Sequence, residues 1–247
     1  MSEYILEVKN LQKVFRDRIS LNGKVKEDVA VRGVSFQVKK GECLGLIGES
    51  GSGKSTTAYM AAGLIPPSGG EICFHGQHMQ MVFQDPMKAM NPKRRVLDNI
   101  CEGLIYKRKD LTKHEIRNAA LEAMDLVQLD RKYARRLGRE LSGGECQRAT
   151  IARAILIHPE LLICDEVTSA LDVSVQAQII RLLDELKKKM GLSYLFISHD
   201  IALVNGFCDR VAVMYQGKIV EIGETAEVLQ NPREEYTKKL MDSVLSI

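Results

Sequence analysis

Short apolar runs mark the first third of the chain. Residues 4–8, 34–38 and 43–47 are rich in β-branched residues or alternate apolar with polar positions, and polar or glycine-bearing segments join them. That pattern predicts strands. Between Arg16 and Asp28 the chain is charged and carries the turn dipeptide Asn22-Gly23, which predicts a hairpin excursion at the surface. From about Asp98 to Leu137 it is charged, free of proline and helical in period. Ile116, Ala119, Ala120, Ala123, Met124 and Val127 can share one helix face there. Beyond Leu141 helices and strands alternate. A helix at about 145–157 leads to a strand at 161–164. The next helix carries Val175, Ile179, Leu182, Leu183, Leu186 and Met190, and strands at 194–198 and 211–215 flank a further short helix. Alternation of this kind implies a parallel sheet covered on both faces.

The composition narrows the class. At 247 residues the chain fits one large domain or two small ones, and with no repeat or low-complexity tract it reads as one domain with subdomains. The longest apolar stretch, residues 58–65, is far below the ~18 residues that span a bilayer. No apolar N-terminal run resembles a signal peptide, so the chain is expected neither to cross a membrane nor to leave the cell. A formal charge of +3 without a dense basic stripe argues against a nucleic-acid partner. Lys187-Lys188-Lys189 and Lys107-Arg108-Lys109 read as solvated helix faces. The six cysteines lie at least 18 residues apart, which leaves no CxxC pair and is most simply met by reduced thiols.

Chemistry concentrates at a few short motifs. Gly48-Glu49-Ser50-Gly51-Ser52-Gly53-Lys54-Ser55-Thr56 fits GxxxxGK[ST], directly after an apolar strand and before a helix. Glycines let backbone N–H groups turn inward around phosphate oxygens. Lys54 can reach the β- and γ-phosphates, and the Ser55 hydroxyl is placed to ligate Mg²⁺. A glycine-rich turn with a chance lysine is the alternative. At the end of the apolar run 161–164 stand Asp165 and Glu166, where ligands of open parallel sheets bind. Asp165 suits Mg²⁺, through water, and Glu166 suits orienting or deprotonating an attacking water; acidic residues also commonly begin loops.

Three further motifs stay open on their own. His199 follows the apolar run 194–198; it can bond a γ-phosphate, or be an ordinary surface histidine. Gln84 follows Val82-Phe83 and can reach Mg²⁺ or the attacking water, or be a plain turn residue. Leu141-Ser142-Gly143-Gly144-Glu145 opens a helix as either a second anion site or a simple cap. Two phosphate-cradling loops with a single lysine suggest that the second serves a nucleotide held by another subunit.

In this order the motifs resemble the nucleotide-binding subunits of ATP-binding cassette (ABC) transporters, over essentially the whole chain. Gly48–Thr56 corresponds to Walker A, Gln84 to the Q-loop, 141–145 to the signature and 161–166 to Walker B. Ser169-Ala170-Leu171-Asp172 corresponds to the D-loop and His199 to the switch histidine. The resemblance implies an α/β fold: an ABC-type P-loop NTPase domain with a RecA-like core (about 1–83 and 150–247), an N-terminal antiparallel β subdomain and an inserted α-helical subdomain (about 84–149). It implies ATP and Mg²⁺ (Ser55, Gln84, Asp165) as cofactors. Two ATP molecules would be sandwiched in a head-to-tail dimer, each between one subunit's Walker A loop and the other's Ser142, Gly143 and Gly144. Asp172 would contribute to the same site. Lys54, Gln84, Glu166 and His199 would carry hydrolysis. Phe15 stands where a family aromatic stacks on adenine; packing as a core strand residue is its alternative.

Finer features narrow the resemblance. Gln84-Asp85-Pro86 followed by Asn91-Pro92, the long segment before Ala30, and the ending Tyr236-Thr237-Lys238-Lys239-Leu240 are similar to dipeptide, oligopeptide and nickel importers. That group implies a heterodimer (a homodimer being the other arrangement), peripheral at the cytoplasmic face of the membrane beneath two permease subunits. An extracytoplasmic solute-binding protein would act indirectly, and residues near 85–99 would receive a permease coupling helix. A soluble non-transport ABC ATPase or a regulatory partner subunit is the alternative function.

Departures from the family pattern are few. Val167 replaces a usual Pro and Glu145 a common Gln, which leaves an active ATPase expected, and the segment 70–84 is short. The chain ends soon after Tyr236, so no iron–sulfur cluster is expected. Cys73, His75 and His78 form either a soft-metal set or a strand-end turn.

Overall fold

The computed structural model describes residues 2–18, 25–105, 108 and 110–245. In chain order its elements are β1 (Tyr4–Arg18), β2 (Val25–Lys39), β3 (Cys43–Ile47), α1 (Lys54–Ala61), β4 (Gly69–Phe74), β5 (Met79–Val82), α2 (Pro86–Ala89), α3 (Val96–Ile105) and α4 (Lys113–Leu126). Two 3₁₀ turns follow, then α5 (Gly143–Ile155), β6 (Leu161–Asp165), α6 (Val173–Met190), β7 (Ser193–Ile197), α7 (Ile201–Phe207), β8 (Arg210–Tyr215), β9 (Lys218–Glu224), α8 (Thr225–Gln230) and α9 (Glu235–Leu245). No helix of the described residues is long and apolar enough to cross a membrane.

These elements gather into two compact units, Met1–Gly76 with Ser193–Ile247, and Gln77–Leu192. The cuts differ from those expected near 84 and 149. β5 and β6 pair with each other, and α5 packs on β5, α2, α3 and α4, so these elements group with the helices.

In the first unit β1 pairs antiparallel with β2 and with β4. Leu6 faces Val38, Val8 faces Phe36 and Leu11 faces Val34, and all six are buried. Both strands run further than their apolar pattern suggests. Charged cross-strand partners such as Arg16 and Glu27, Nε to Oε1 3.0 Å, continue the ladder where alternation stops. The Asn22-Gly23 turn lies outside the described residues. β3 runs parallel to β7 on one side and to β8 on the other. Every residue of β3 and β7 is buried, so their apolar runs are continuous instead of alternating, as strands covered on both faces require. Phe207 of α7 meets Tyr194 and Phe196 edge-on, each at 5.3 Å between ring centroids.

One strand departs from the parallel expectation. β9 runs antiparallel beside β8, joined through Gln216 and Gly217 at φ 46° and 80°. A two-residue hairpin with both central residues at positive φ is the turn that matches strand twist.

The second unit is organised by capped helices. Thr112 and Glu115 form a capping box at the start of α4, whose buried residues are Ile116, Ala120, Ala123 and Met124. Ala119 is only half-buried. Asp172 caps α6 and Gly191, at φ 67°, ends it. The Cys146 thiol sits 3.3 Å from the Pro86 carbonyl, and burial pushes it up to about 11, out of reach of thiolate chemistry. Asn99, 1% exposed, ties down the segment before α3. Its Oδ1 accepts from Asn91 N–H at 2.8 Å, and its Nδ2 donates to the Asn91 and Arg95 carbonyls, both at 3.1 Å.

Asn99→Ala would remove all of these part-buried bonds together. It is expected to lower unfolding free energy by about 2–4 kcal/mol, read from denaturant melts; a change under about 0.5 kcal/mol would show that Asn91 is held otherwise.

Candidate functional site

In the first unit the loop after β3 closes into a cradle. Gly48 lies at φ 145°, and a Cβ there would fall 2.1 Å from the Met214 carbonyl oxygen. At Gly53, φ 104°, a Cβ would fall 2.4 Å from the Ala30 carbonyl oxygen. Neither position has room for a side chain. By contrast Gly51, at φ 80°, meets nothing within 4 Å. Gly53 precedes α1 without a side-chain cap, so the N–H groups of the first turn, which includes Lys54, Ser55 and Thr56, are directed as an anion cradle directs them.

Lys54 is 5% exposed and donates to the Gly48 and Glu49 carbonyls at 2.7 and 2.8 Å. The loop is also held from outside: Gly217 N–H, in the β8–β9 turn, donates to the Ser52 carbonyl at 2.9 Å. The buried Ser52 hydroxyl finds no partner among the described residues. Ser50 is exposed at the rim.

His199 leaves the C-terminal end of β7, whose Ile197 pairs with Leu46 of β3. Phosphate loop and histidine therefore emerge at the same edge of adjacent parallel strands. Asp200 caps α7 by accepting from Ala202 and Leu203 N–H at 2.9 and 3.2 Å, which fixes the backbone beside His199. Phe15 is 40% exposed on β1, with the Lys13 ammonium 5.1 Å from its ring centroid. The core-strand alternative for Phe15 is thereby set aside.

The second unit repeats the device. β5 and β6 are parallel, with Val82 opposite Cys164, so Gln84 and the pair Asp165-Glu166 emerge at one edge. Gln84 Nε2 donates to Glu166 Oε2 at 2.8 Å and lies 3.4 Å from Ser169 Oγ. Ser169 Oγ in turn donates to the Glu166 carbonyl at 3.0 Å. Glu166 sits at φ 46°, a left-handed backbone that costs a non-glycine residue about 1–2 kcal/mol. Asp165 is 1% exposed.

Ser142 caps α5 through a capping box: its hydroxyl accepts from Glu145 N–H at 3.4 Å and Glu145 Oε2 accepts from Ser142 N–H at 2.8 Å. Burial raises the Glu145 carboxyl, but bonds from the Tyr133 hydroxyl and the Ser142 backbone outweigh it and hold the group below its usual range. The glutamate at this position thus serves as a charged cap, favourable at a helix N-terminus. Gly144 packs so close to Val175 that a Cβ would lie 2.8 Å from its Cγ1. Asp172 accepts from Ser174 Oγ at 2.7 Å and Val175 N–H at 3.0 Å; the serine bond chiefly lowers its carboxyl.

Cys73, His75 and His78 do not form a set. The His75 ring bonds Glu7 Oε1 at 2.9 Å, and among the described residues no grouping of three or more His, Cys, Asp or Glu suits a metal ion. Sequence reasoning missed Ser169, the partner of Gln84 and Glu166. It also missed Tyr236, whose hydroxyl accepts from Glu49 N–H at 3.1 Å. For Ser169 the signal was its place in the D-loop motif; for Tyr236 no local pattern points to a loop so distant in sequence.

Comparison with known proteins agrees with this geometry. A family model described as "ABC transporter" matches residues 31–169. The chain is 42% identical to the oligopeptide transport ATP-binding protein OppF of Bacillus subtilis, over 99% of this chain and 83% of that protein. Among solved structures it is similar to cbiO1 from Clostridium perfringens, described as part of the ABC transporter complex cbiONQ, with TM-score 0.79, 27% identity and full coverage of both chains. It is also similar to the dimeric cassette MJ0796 bound to ADP and Pi in a post-hydrolysis state, with TM-score 0.77, 26% identity, and 89% and 98% coverage. The chain therefore belongs to the ABC transporter family, as one of its ATP-binding subunits.

Proposed function

We propose that this chain hydrolyses ATP to drive an importer of peptides or nickel, and that Gln84 and Glu166 manage the attacking water. The 2.8 Å bond from Gln84 Nε2 to Glu166 Oε2 carries the reading. It aims the carboxylate from a strained backbone position at the strand edge, where a general base is needed. Deprotonation of water by Glu166, with Gln84 holding its orientation, fits an in-line attack on a γ-phosphate. His199 contributes a bond to that phosphate.

The cradle from Gly48 to Thr56, with Ser50, Gly51 and Gly53, binds the phosphate chain. Lys54 reaches the phosphate oxygens with its ammonium, and Phe15 offers its exposed ring to adenine. Ser55, Gln84 and Asp165 would hold Mg²⁺, which prefers hard oxygen donors, and the ion would supply neutralisation of phosphate charge. In Gln84 the amide nitrogen faces Glu166, and the oxygen is the half suited to the ion.

A second ATPase subunit, a different chain in the arrangement favoured by the peptide-importer resemblance, presents its own signature loop to this cradle. Ser142, Gly143 and Gly144 serve the partner's nucleotide in return, with Asp172 ordering the loop ahead of α6. Permease subunits dock near residues 85–99 at the cytoplasmic face of the membrane, and a solute-binding protein outside feeds them.

Lys54→Ala is expected to weaken ATP binding by about ten- to a hundred-fold, the loss of charge-assisted bonds to two phosphates. Titration with a fluorescent ATP analogue measures it, and unchanged affinity would remove Lys54 from the site. In the same assay Gly48→Ala should lose far more affinity than Gly51→Ala. The first puts a methyl group into a backbone oxygen, whereas the second adds only a φ cost of about 1–2 kcal/mol. Equal affinities would contradict the steric reading of the cradle.

A further inference from the structure

The peptide joining Gly48 to Glu49 is held at both ends. Its carbonyl accepts from the Lys54 ammonium at 2.7 Å, and its N–H donates to the Tyr236 hydroxyl at 3.1 Å. In a trans peptide these two groups point in opposite directions, so lysine and tyrosine fix one plane from its two sides.

Tyr236 is itself placed by its surroundings. Its ring stacks on Tyr215, the last residue of β8, with centroids 4.0 Å apart and planes 26° apart. Tyr215 Oη accepts from Gln216 Nε2 at 3.0 Å. The turn into α9 is pinned by Glu221 of β9, whose carboxylate accepts from Arg233 and Glu234 N–H at 2.9 and 3.2 Å. Thr237, the next residue, is fully buried. The hydroxyl thus reaches the loop from a rigid mount.

Lys54 on one side and Tyr236 on the other thus restrain this peptide before any nucleotide arrives. We propose that Tyr236 is a positioning residue for nucleotide binding, holding the Gly48–Glu49 peptide so that the cradle keeps its shape. The tyrosine touches no phosphate. Its effect is preorganisation: without it the loop must be ordered at the expense of binding. This rests on the assignment of Lys54 to the phosphates.

The test is Tyr236→Phe in the full chain, which keeps the ring stack and removes only the hydroxyl. Affinities for fluorescent ATP and ADP analogues are measured beside the thermal midpoint, with Lys54→Ala in parallel. Both affinities are expected to fall by about three- to ten-fold, the loss of one neutral hydrogen bond, with the midpoint shifted by less than about 2 °C. A merely structural tyrosine would lower the midpoint and leave the affinity of the folded protein unchanged; that result, or unchanged values of both, would overturn the proposal. If Lys54→Ala loses affinity while Tyr236→Phe does not, only the role of Tyr236 fails. If Lys54→Ala also keeps its affinity, the phosphate-loop assignment fails and takes this proposal with it.

Discussion

The first unit depends on how closely the loop after β3 approaches the backbone around it. Carbonyl oxygens of Met214 and Ala30 stand where side chains at positions 48 and 53 would begin. Only glycine permits that approach. The neighbouring structure is arranged to keep it. β3 is wedged between two parallel neighbours and buried along its length, so the loop springs from a strand hydrogen-bonded on both sides. The β8–β9 turn closes over it: Gly217 donates to Ser52, and Arg32 N–H donates to the Gly217 carbonyl at 2.7 Å. α9 adds the Tyr236 contact from a third direction.

The second unit solves a different problem with the same geometry. In the role proposed for Glu166, a carboxylate must be exposed enough to reach its substrate yet held in one orientation. Placing Glu166 just past the end of β6, in a left-handed conformation, turns it out of the strand. Gln84 from the adjacent parallel strand end and Ser169 from the following turn then hold it. The strain of that backbone is tolerated because both its side chain and its carbonyl are bonded. Each unit thus draws two chemical groups from the C-terminal ends of neighbouring parallel strands, where α/β sheets concentrate their ligands.

Much of this was legible in the chain. The nine residues 48–56 specify a close-packed, glycine-bearing loop between β3 and α1, because Gly48 and Gly53 fall where the backbone leaves no room for a side chain. β3 was bounded at 43–47, as the structure has it, since a buried strand flanked by glycines has sharp edges. Less was readable where tertiary contact decides. β9 lacked a familiar hairpin dipeptide, and its turn relies on Gln216 accepting a positive φ. The charged ends of β1 and β2 pair through side chains that periodicity cannot score. Glu145 looked like a departure from pattern and is a charged helix cap. Asn99 looked like one polar residue among many; only the folded chain shows it bonding Asn91 and Arg95. Tyr236 acts on a residue 187 positions away, a relation that no window along the sequence contains.

In the proposed mechanism binding and hydrolysis fall on different groups, the cradle for one and Glu166 for the other. The turnover of Glu166→Gln, followed as phosphate release beside its ATP affinity, separates them most directly. The amide keeps the size and bonding reach of the carboxylate but cannot take a proton. The expected result is ATP affinity within about three-fold of the unsubstituted chain and turnover reduced by at least about a hundred-fold, with an ATP-bound dimer accumulating. Turnover at the level of the unsubstituted chain would show that another group activates the water and that the Gln84–Glu166 pair is not the hydrolytic centre.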